Sequence, residues 1–515
     1  MNDTPVPSPQ YPSPRQVALI TVGVLTGVLL SALDQTVVGT ALPRIVGDIG
    51  GLSKLAWVVT GYLITSMAAT PLWGKFSDLY GRRPMFQATI TIFIVGSALC
   101  GVSQNITELV LFRGLQGVGA GGLYALALAI IGDVVPPAAR GRYQGYFMIV
   151  YGIASVGGPL VGGWLTDGPG WRWIFYINVP LGLASLAVTV VALKLKSTRR
   201  SHTVDYPGAV LIVGSVTSLL LYLNWSATRY GWGAPVSLGL LAAFVVLTAL
   251  LVLVESRAGE PIIPLGLFAN RVYGIGTVFS FMTGAAMFAG VVYLPVYLQS
   301  VMGFSPVKAG LAMLPAMIGI GVSSTLSGIM MSKTGKFKIY PVAGSAMVAV
   351  SLGLMVMFEA DTSYWQVAAV GVVFGLGVGA TMQTIITAVQ NSVQPKDIGT
   401  ATSSTNFFQR MGAAVGTAVF GAVLTSRLSA HLAHEAPGSA ASGIDVNKVK
   451  LIAHLQQPLK GHVVGAFAHA FDDVFLVSVP FAVVAFGVAL FLRDSPRPAA
   501  PTVPATEAAA ATEVA

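Results

Sequence analysis

Asp34 stands in the stretch SALDQTVVGTALP, residues 31–43, near the end of an apolar run that begins at Val17. At about 1.5 Å per residue it lies roughly 27 Å into a helix. A carboxylate that deep in hydrocarbon has to be neutralised by a proton or held by a cation, because an isolated charge loses its solvation there. Arg113, in FRGLQGVGAGG (112–122), is the cation whose position fits. It falls about two turns inside the outer end of its run, and Asp34 about nine residues inside the same end of its own. The two share a depth at which a pair can form. A buried arginine costs several kcal/mol unless it is paired. Snorkelling of Arg113 to the outer headgroups is the other way to relieve that cost. Gly117, Gly119, Gly121 and Gly122 imitate a dinucleotide fingerprint, but no strand precedes them, and close helix packing through small residues accounts for them better.

Other stretches carry chemistry of a lesser kind. GKFSDLYGRRP (74–84) places Gly74, Asp78, Gly81, Arg82 and Arg83 in a short connection. The glycines permit a tight turn, Asp78 can cap a helix, and the arginines suit the cytoplasmic side. GIASVGGPLVGGW (152–164) sets Gly152, Gly157, Gly158, Gly162 and Gly163 around Pro159, a composition that bends a helix and lets neighbours approach. Arg410, in NFFQRMGAAVG, lies about 18 Å from the inner end of its run, with no acid well inside any run of the second half. It faces a wet cavity and draws an anionic or polar group, or it is served by Asp34 or a carbonyl. His431, His434, His454, His462 and His469 crowd 428–469, but their spacing matches no familiar ligand set. Asp472 and Asp473 read as solvated loop ends. Met282, Phe288 and Tyr293, with Gln116 and Arg410, are candidates for an adaptable substrate cavity.

The elements that must position these residues are membrane helices. Hydrophobic residues make up 54% of the 515 and charged residues 10%, whereas a soluble domain carries about 25% charged residues. Fourteen apolar runs are long enough to span, at 17–42, 55–73, 85–103, 107–132, 142–165, 171–194, 207–225, 236–255, 272–299, 308–331, 340–358, 365–390, 399–427 and 470–492. The fold class is an all-α polytopic membrane protein. The net charge of +9 falls mostly in short loops, where topology needs it, so it does not argue for nucleic acid. Most of the 29 Lys and Arg residues lie on one side if both termini are cytoplasmic. The single cysteine, Cys100, excludes an internal disulfide.

The sequence also repeats. GKFSDLYGRRP aligns with GIMMSKTGKFK (328–338), and 117–141 aligns without a gap on 375–399, so that Gly117, Gly119, Gly121, Pro137 and Gly141 fall on Gly375, Gly377, Gly379, Pro395 and Gly399. Two six-helix halves follow, 17–200 and 261–493, with an inserted pair, 201–260, between them. Residues 1–16 form a cytoplasmic segment, 428–469 an outer loop and 494–515 a disordered tail. A site between parallel repeats at mid-membrane is a transporter design.

Taken in order, SALDQTVVGTALP, GKFSDLYGRRP, FRGLQGVGAGG, GIASVGGPLVGGW and WRWIFYINVP (171–180) resemble the major facilitator superfamily, and in particular its fourteen-span drug:proton antiporter branch. The resemblance implies two six-helix halves plus an inserted pair, and export driven by protons. It further implies that Asp34 carries the proton, that Arg113 modulates it, and that the glycines of the 152–164 motif belong to an antiporter. A fixed Asp34–Arg113 ion pair is the alternative. Two departures stand out: Gly39 where the branch usually has Asn, and Ser332 where the second loop motif would have an acid.

The function expected is therefore a proton-coupled secondary exporter of amphipathic or cationic small molecules in the inner cell membrane. The same machine acting on a lipid, siderophore or other metabolite is the second reading. No HExxH, GxSxG or Walker loop is present, so an intramembrane enzyme is the remote one. The expected partners are the substrate, protons and the bilayer, with the chain a monomer. No cofactor or metal is expected.

Overall fold

The computed structural model describes residues 12–49, 55–136, 139–193, 205–226, 230–258, 261–304, 306–435 and 459–493. Among them the regular structure is helical. In chain order the long helices are α1 Pro14–Ile49, α2 Leu55–Tyr80, α3 Arg82–Val102, α4 Ile106–Val134, α5 Arg140–Asp167, α6 Trp173–Ala192 and α7 Tyr206–Trp225. They continue as α8 Pro235–Glu255, α9 Arg271–Ser300, α10 Leu314–Thr334, α11 Ile339–Met355, α12 Tyr364–Ser392, α13 Ile398–Glu435 and α14 Leu459–Leu490. Eleven helices are long and apolar enough to cross a membrane by length and composition. The remaining runs are helical too: α2 carries Lys75 and Asp78 near its end, α5 is rich in glycine, and α11 has 17 residues.

Some boundaries differ from expectation. The expected loop 428–469 is helical at both ends, because α13 runs on to Glu435 and α14 begins at Leu459. The chain continues as helix there because one face stays buried: Leu428 and Leu432 on α13, and Val463, Phe467, Ala470 and Phe471 on α14, recur at helical spacing in one core. Residues 436–458, the 494–515 tail and 1–11 lie outside the described residues, and α1 already starts at Pro14.

The helices fall into two sets with the same internal arrangement. In the first, α1 packs on α5 and α6, α4 on α2 and α3, and α3 on α6. In the second, α9 packs on α13 and α14, α12 on α10 and α11, and α11 on α14. The sets meet along two seams, α2 with α13 and α5 with α10, which the correspondence exchanges. The glycines of the aligned segments do the same work in each set. A methyl group at Gly117 or Gly121 would strike the backbone oxygen of Tyr62 or Ser66 on α2, and at Gly375 or Gly379 that of Ala316 or Ile320 on α10. A Cβ on Gly119 would lie 2.7 Å from the Thr89 oxygen on α3, and one on Gly377 2.7 Å from the Gly344 oxygen on α11. These are backbone-to-backbone contacts of the kind small residues give membrane helices. The loop motifs match as well: Gly81 and Gly335 both have positive φ, 96° and 72°, at the turn after α2 and after α10.

The inserted pair stands outside both sets. Asp205 caps α7 by accepting from Gly208 N at 2.8 Å, with Pro207 in the first turn. α7 packs against α8, α2 and α13, and Trp225 at its end meets Trp57 of α2 edge-on at 5.8 Å. Only 6% of the apolar window of α8 is buried, and the outward Leu238, Val245, Val246, Val252 and Leu253 suit contact with lipid chains. α9 is interrupted by a π-helical turn at Ala289–Tyr293 just before Pro295, whose missing N–H cannot continue the ladder.

Candidate functional site

Asp34 and Arg113 meet. Arg113 Nη1 donates to Asp34 Oδ2 at 2.6 Å, and each residue is 1% exposed. Arg113 therefore does not snorkel. The other carboxylate oxygen, Oδ1, accepts from Gln116 Nε2 at 2.9 Å and from Asn178 Nδ2 at 3.0 Å. Arg113 Nη1 also reaches Gln116 Oε1 at 2.7 Å, its Nε donates to Val58 O at 3.3 Å, and its guanidinium lies 4.1 Å from the centre of the Tyr62 ring. Asn178 also donates to Ser97 Oγ at 3.0 Å, and Ser97 to Phe175 O at 2.8 Å. α1, α2, α3, α4 and α6 thus converge on one carboxylate. Buried charge is tolerable here because both oxygens and the guanidinium are hydrogen-bonded. Three of these partners extend the sequence reading. Gln116, named as a cavity candidate, is fully buried beside Asp34. Asn178 and Ser97 were not singled out. Asn178 sits in WRWIFYINVP as a lone amide in an apolar run, the signal that would have found it.

The loop motif holds the two halves together at one end. Asp78, near the end of α2, accepts from Thr400 N at 2.7 Å and from Thr400 Oγ1 at 2.6 Å. It caps the first turn of α13, a helix of the other half, where free N–H groups and the helix dipole favour an anion. Arg82 pairs with Asp78, donates to Asp133 Oδ2 at 2.6 Å and to Ser77 Oγ at 2.6 Å. A side chain at Gly399 would run into this Asp78–Arg82 pair, and one at Gly74 into Ser403. Two further bonds cross between halves at the same end, Arg140 Nη1 to Asn391 Oδ1 at 2.6 Å and Gln390 Nε2 to Leu128 O at 3.1 Å. Arg83 lies apart, donating to Val190 O at 2.9 Å.

A buried ion pair lies in the first half, and the two matched halves are joined by polar contacts at one end. The family model of the Major Facilitator Superfamily matches residues 24–417. The chain belongs to the major facilitator superfamily. It is a multi-pass membrane transporter rather than an enzyme. Among its relatives is an MFS-type transporter of Mycobacterium tuberculosis (strain ATCC 25618 / H37Rv), 38% identical over 484 residues, which cover 94% of this chain and 70% of that one. Multidrug resistance protein 3 of Bacillus subtilis (strain 168) is 33% identical over 487 residues, 92% of this chain and 94% of the relative. The multidrug transporter protein MdtP of the same strain is 37% identical over 411 residues, 79% and 75% of the two chains. The crystal structure of a human organic anion transporter has the same fold, with TM-score 0.63 at 14% identity, over 93% of this chain and all of that one.

In this transporter α5 runs between the halves, against α1 on one side and α10 on the other. Close approach within its glycine motif is uneven. A side chain at Gly158 would collide with Thr36 Oγ1 of α1, which itself bonds Ala154 O of α5 at 3.0 Å. A Cβ at Gly152, Gly157 or Gly163 would meet nothing within 4 Å among the described residues, so the close approach described within the motif is the one at Gly158. Gly162 is buried and its carbonyl accepts from Thr166 Oγ1 at 2.6 Å. Pro159 lies within the helix. Gly158→Leu should lower the transport rate at least tenfold, while Gly163→Leu should stay within about twofold of wild type. Transport in proteoliposomes at matched protein content is the measurement, and equal rates for the two variants would remove the α1–α5 contact from the mechanism.

The candidates of the transporter's second half are not brought into one cavity. Tyr293 is buried in the second core and donates to Thr417 O at 2.7 Å. Met282 is half-buried against the first core, and Phe288 is half-buried at the π-helical turn. Arg410 points toward the first half, donating to Ser66 Oγ of α2 at 3.2 Å. Among the described residues neither Asp34 nor a carbonyl bonds it. Asp472 and Asp473 are not loop ends. They lie within α14, and Asp473 Oδ2 is 3.1 Å from His431 Nε2 and 3.7 Å from Arg427 Nε. His431 and His469 have ring centres 5.6 Å apart, yet no group of three metal-ligating residues occurs among the described residues, and His454 lies outside them. The surroundings of Gly39 and the side chain of Ser332 are likewise outside what is described.

Proposed function

We propose that the transporter is a proton-coupled exporter of amphipathic small molecules, of the fourteen-span drug:proton antiporter kind. The observation that carries this reading is the Asp34 carboxylate, wholly buried and held by three donors, one of them a cation. A proton arriving on Asp34 removes its attraction for Arg113, and loss of the proton restores it. The pair so passes from net neutral to net +1 when the proton arrives, which leaves Arg113 without its anion, and the helices that supply its members, α1, α2, α4 and α6, are those that must shift. The names of the Bacillus subtilis relatives support a drug-like cargo.

Basic residues at the loop-motif end, Arg82, Arg83, Arg140, Lys333, Lys336 and Lys338, support a cytoplasmic position for that end and for both termini. With the Asp78 latch closed there, the described shape is the one sealed toward the cytoplasm. Alternating access then consists of breaking the Asp78–Thr400, Arg140–Asn391 and Gln390–Leu128 contacts as the halves rock. The test is proton movement. In proteoliposomes holding a pH gradient and a trapped pH dye, adding an exported compound should dissipate the gradient. Compounds exported at the same rate with and without the gradient, and no dye response to any of them, would overturn coupling.

A further inference from the structure

The mechanism leaves one group of buried polar side chains unused. It lies where α2, α4, α12 and α13 meet, between the halves and beside the proton site but separate from it. Arg410 is half-buried there, about 18 Å into α13. Its guanidinium donates to Ser66 Oγ at 3.2 Å and lies 5.8 Å from the centre of the Tyr124 ring. It makes no ion pair among the described residues. Around it the hydroxyls of Tyr62 and Tyr124 and both ends of the Gln383 amide are buried with no hydrogen-bond partner among the described residues. Those side chains are 1%, 4% and 1% exposed. The Tyr124 hydroxyl and the Gln383 amide are close enough to interact, yet neither makes a well-formed bond.

Buried polar groups are ordinarily satisfied, and a cluster of unsatisfied ones around an unpaired cation is costly to keep. The cluster is also one-sided. It offers guanidinium, phenol and amide N–H donors, and its acceptors, the phenol oxygens and the Gln383 carbonyl, are all neutral. Asp34, the carboxylate that faces Arg113, is filled by Arg113, Gln116 and Asn178 and stands behind the Tyr62 ring. It is not free to greet a cationic substrate. Beside the donors, Phe147 and Tyr151 pack edge-on to Tyr124 at 5.9 and 5.5 Å, an aromatic wall for a flat apolar body.

We propose that Arg410, Tyr124, Gln383 and Tyr62 form the polar end of the substrate site, and that it takes the oxyanion head of an amphipathic aromatic compound. This rests on the export reading above and narrows its cargo from amphipathic compounds at large to organic anions. Tyr62 then touches both sites at once, its ring under Arg113 and its hydroxyl toward the anion.

A matched pair of probes tests it: 8-anilinonaphthalene-1-sulfonate and its uncharged parent N-phenyl-1-naphthylamine, with ethidium as the cation. Binding is measured by equilibrium dialysis on the purified full-length protein, and export in proteoliposomes with an imposed proton gradient. Wild type should favour the sulfonate over ethidium. Arg410→Gln should lower the sulfonate-to-parent affinity ratio roughly tenfold to a hundredfold, as expected for losing a charge-assisted bond. Arg410→Lys should recover part of it, and Gln383→Leu should lower it by a smaller factor. The ratio, rather than either affinity, separates anion recognition from general loss of fold. An unchanged ratio in Arg410→Gln, or a wild-type preference for ethidium, would overturn the proposal. Sulfonate binding that follows Arg410 while no probe is exported under the gradient would uphold the anion site and instead refute the export reading.

Discussion

Asp34→Asn should abolish uphill export while leaving downhill equilibration of the same compound measurable. The substitution keeps size and removes the group that titrates. The structure adds a cost beyond this. Asp34 accepts on both oxygens, from Arg113, Gln116 and Asn178. An asparagine has one acceptor, so its amide N–H must face at least one donor, and Arg113 loses its anion. Breaking a buried pair by removing one partner costs about 3–5 kcal/mol in soluble proteins, so the variant's thermal midpoint should fall as well. Downhill flux is therefore the necessary comparison, since it survives if the protein still folds and binds. Wild-type uphill export by Asp34→Asn in energised vesicles would defeat the assignment of Asp34 as proton carrier.

Asp78→Ala should release the closed end. Asp78 caps α13 through Thr400 and anchors Arg82, so its loss removes an interhelical cap and strands a buried arginine between Asp133 and Ser77. A helix cap alone is worth about 0.5–2 kcal/mol. With the ion pair added, a shift of more than tenfold between conformations is expected. A cysteine placed at Ser403, buried against Gly74 of α2, reports it. Its labelling by a maleimide from the loop-motif side should speed up at least tenfold in Asp78→Ala, and transport should fall by a similar factor. The native Cys100 is fully buried and adds little background. Unchanged labelling together with unchanged transport would show that the Asp78 contact is not a latch.

Much of this was legible because membrane helices write themselves as apolar runs and because the two halves repeat. All fourteen runs are helical, and the aligned glycines sit at equivalent seams. Depth arithmetic brought Asp34 to Arg113, since rise per residue is fixed once the helix is. What depth cannot give is azimuth. Gln116 and Tyr293 are both cavity candidates in the sequence, yet one faces Asp34 and the other faces Thr417. The partner of Asp78, 322 residues away at Thr400, leaves no local trace at all. The polar residues at the ends of α13 and α14 read as loop in the sequence, while buried leucine, valine and phenylalanine on one face keep the helix going.

The two seams between the halves are related by the repeat, but the acid that closes one has Ser332 at the aligned position beside the other. In the rocking cycle proposed above, the equilibrium between the two shapes is biased by a part present at one seam only. A bias of about 2.8 kcal/mol would leave roughly one molecule in a hundred in the minor shape. A compound that reaches the site only from the latched face would then show an apparent dissociation constant about a hundredfold weaker than its contacts with the site allow, and mutations in the latch would sharpen its affinity without touching it.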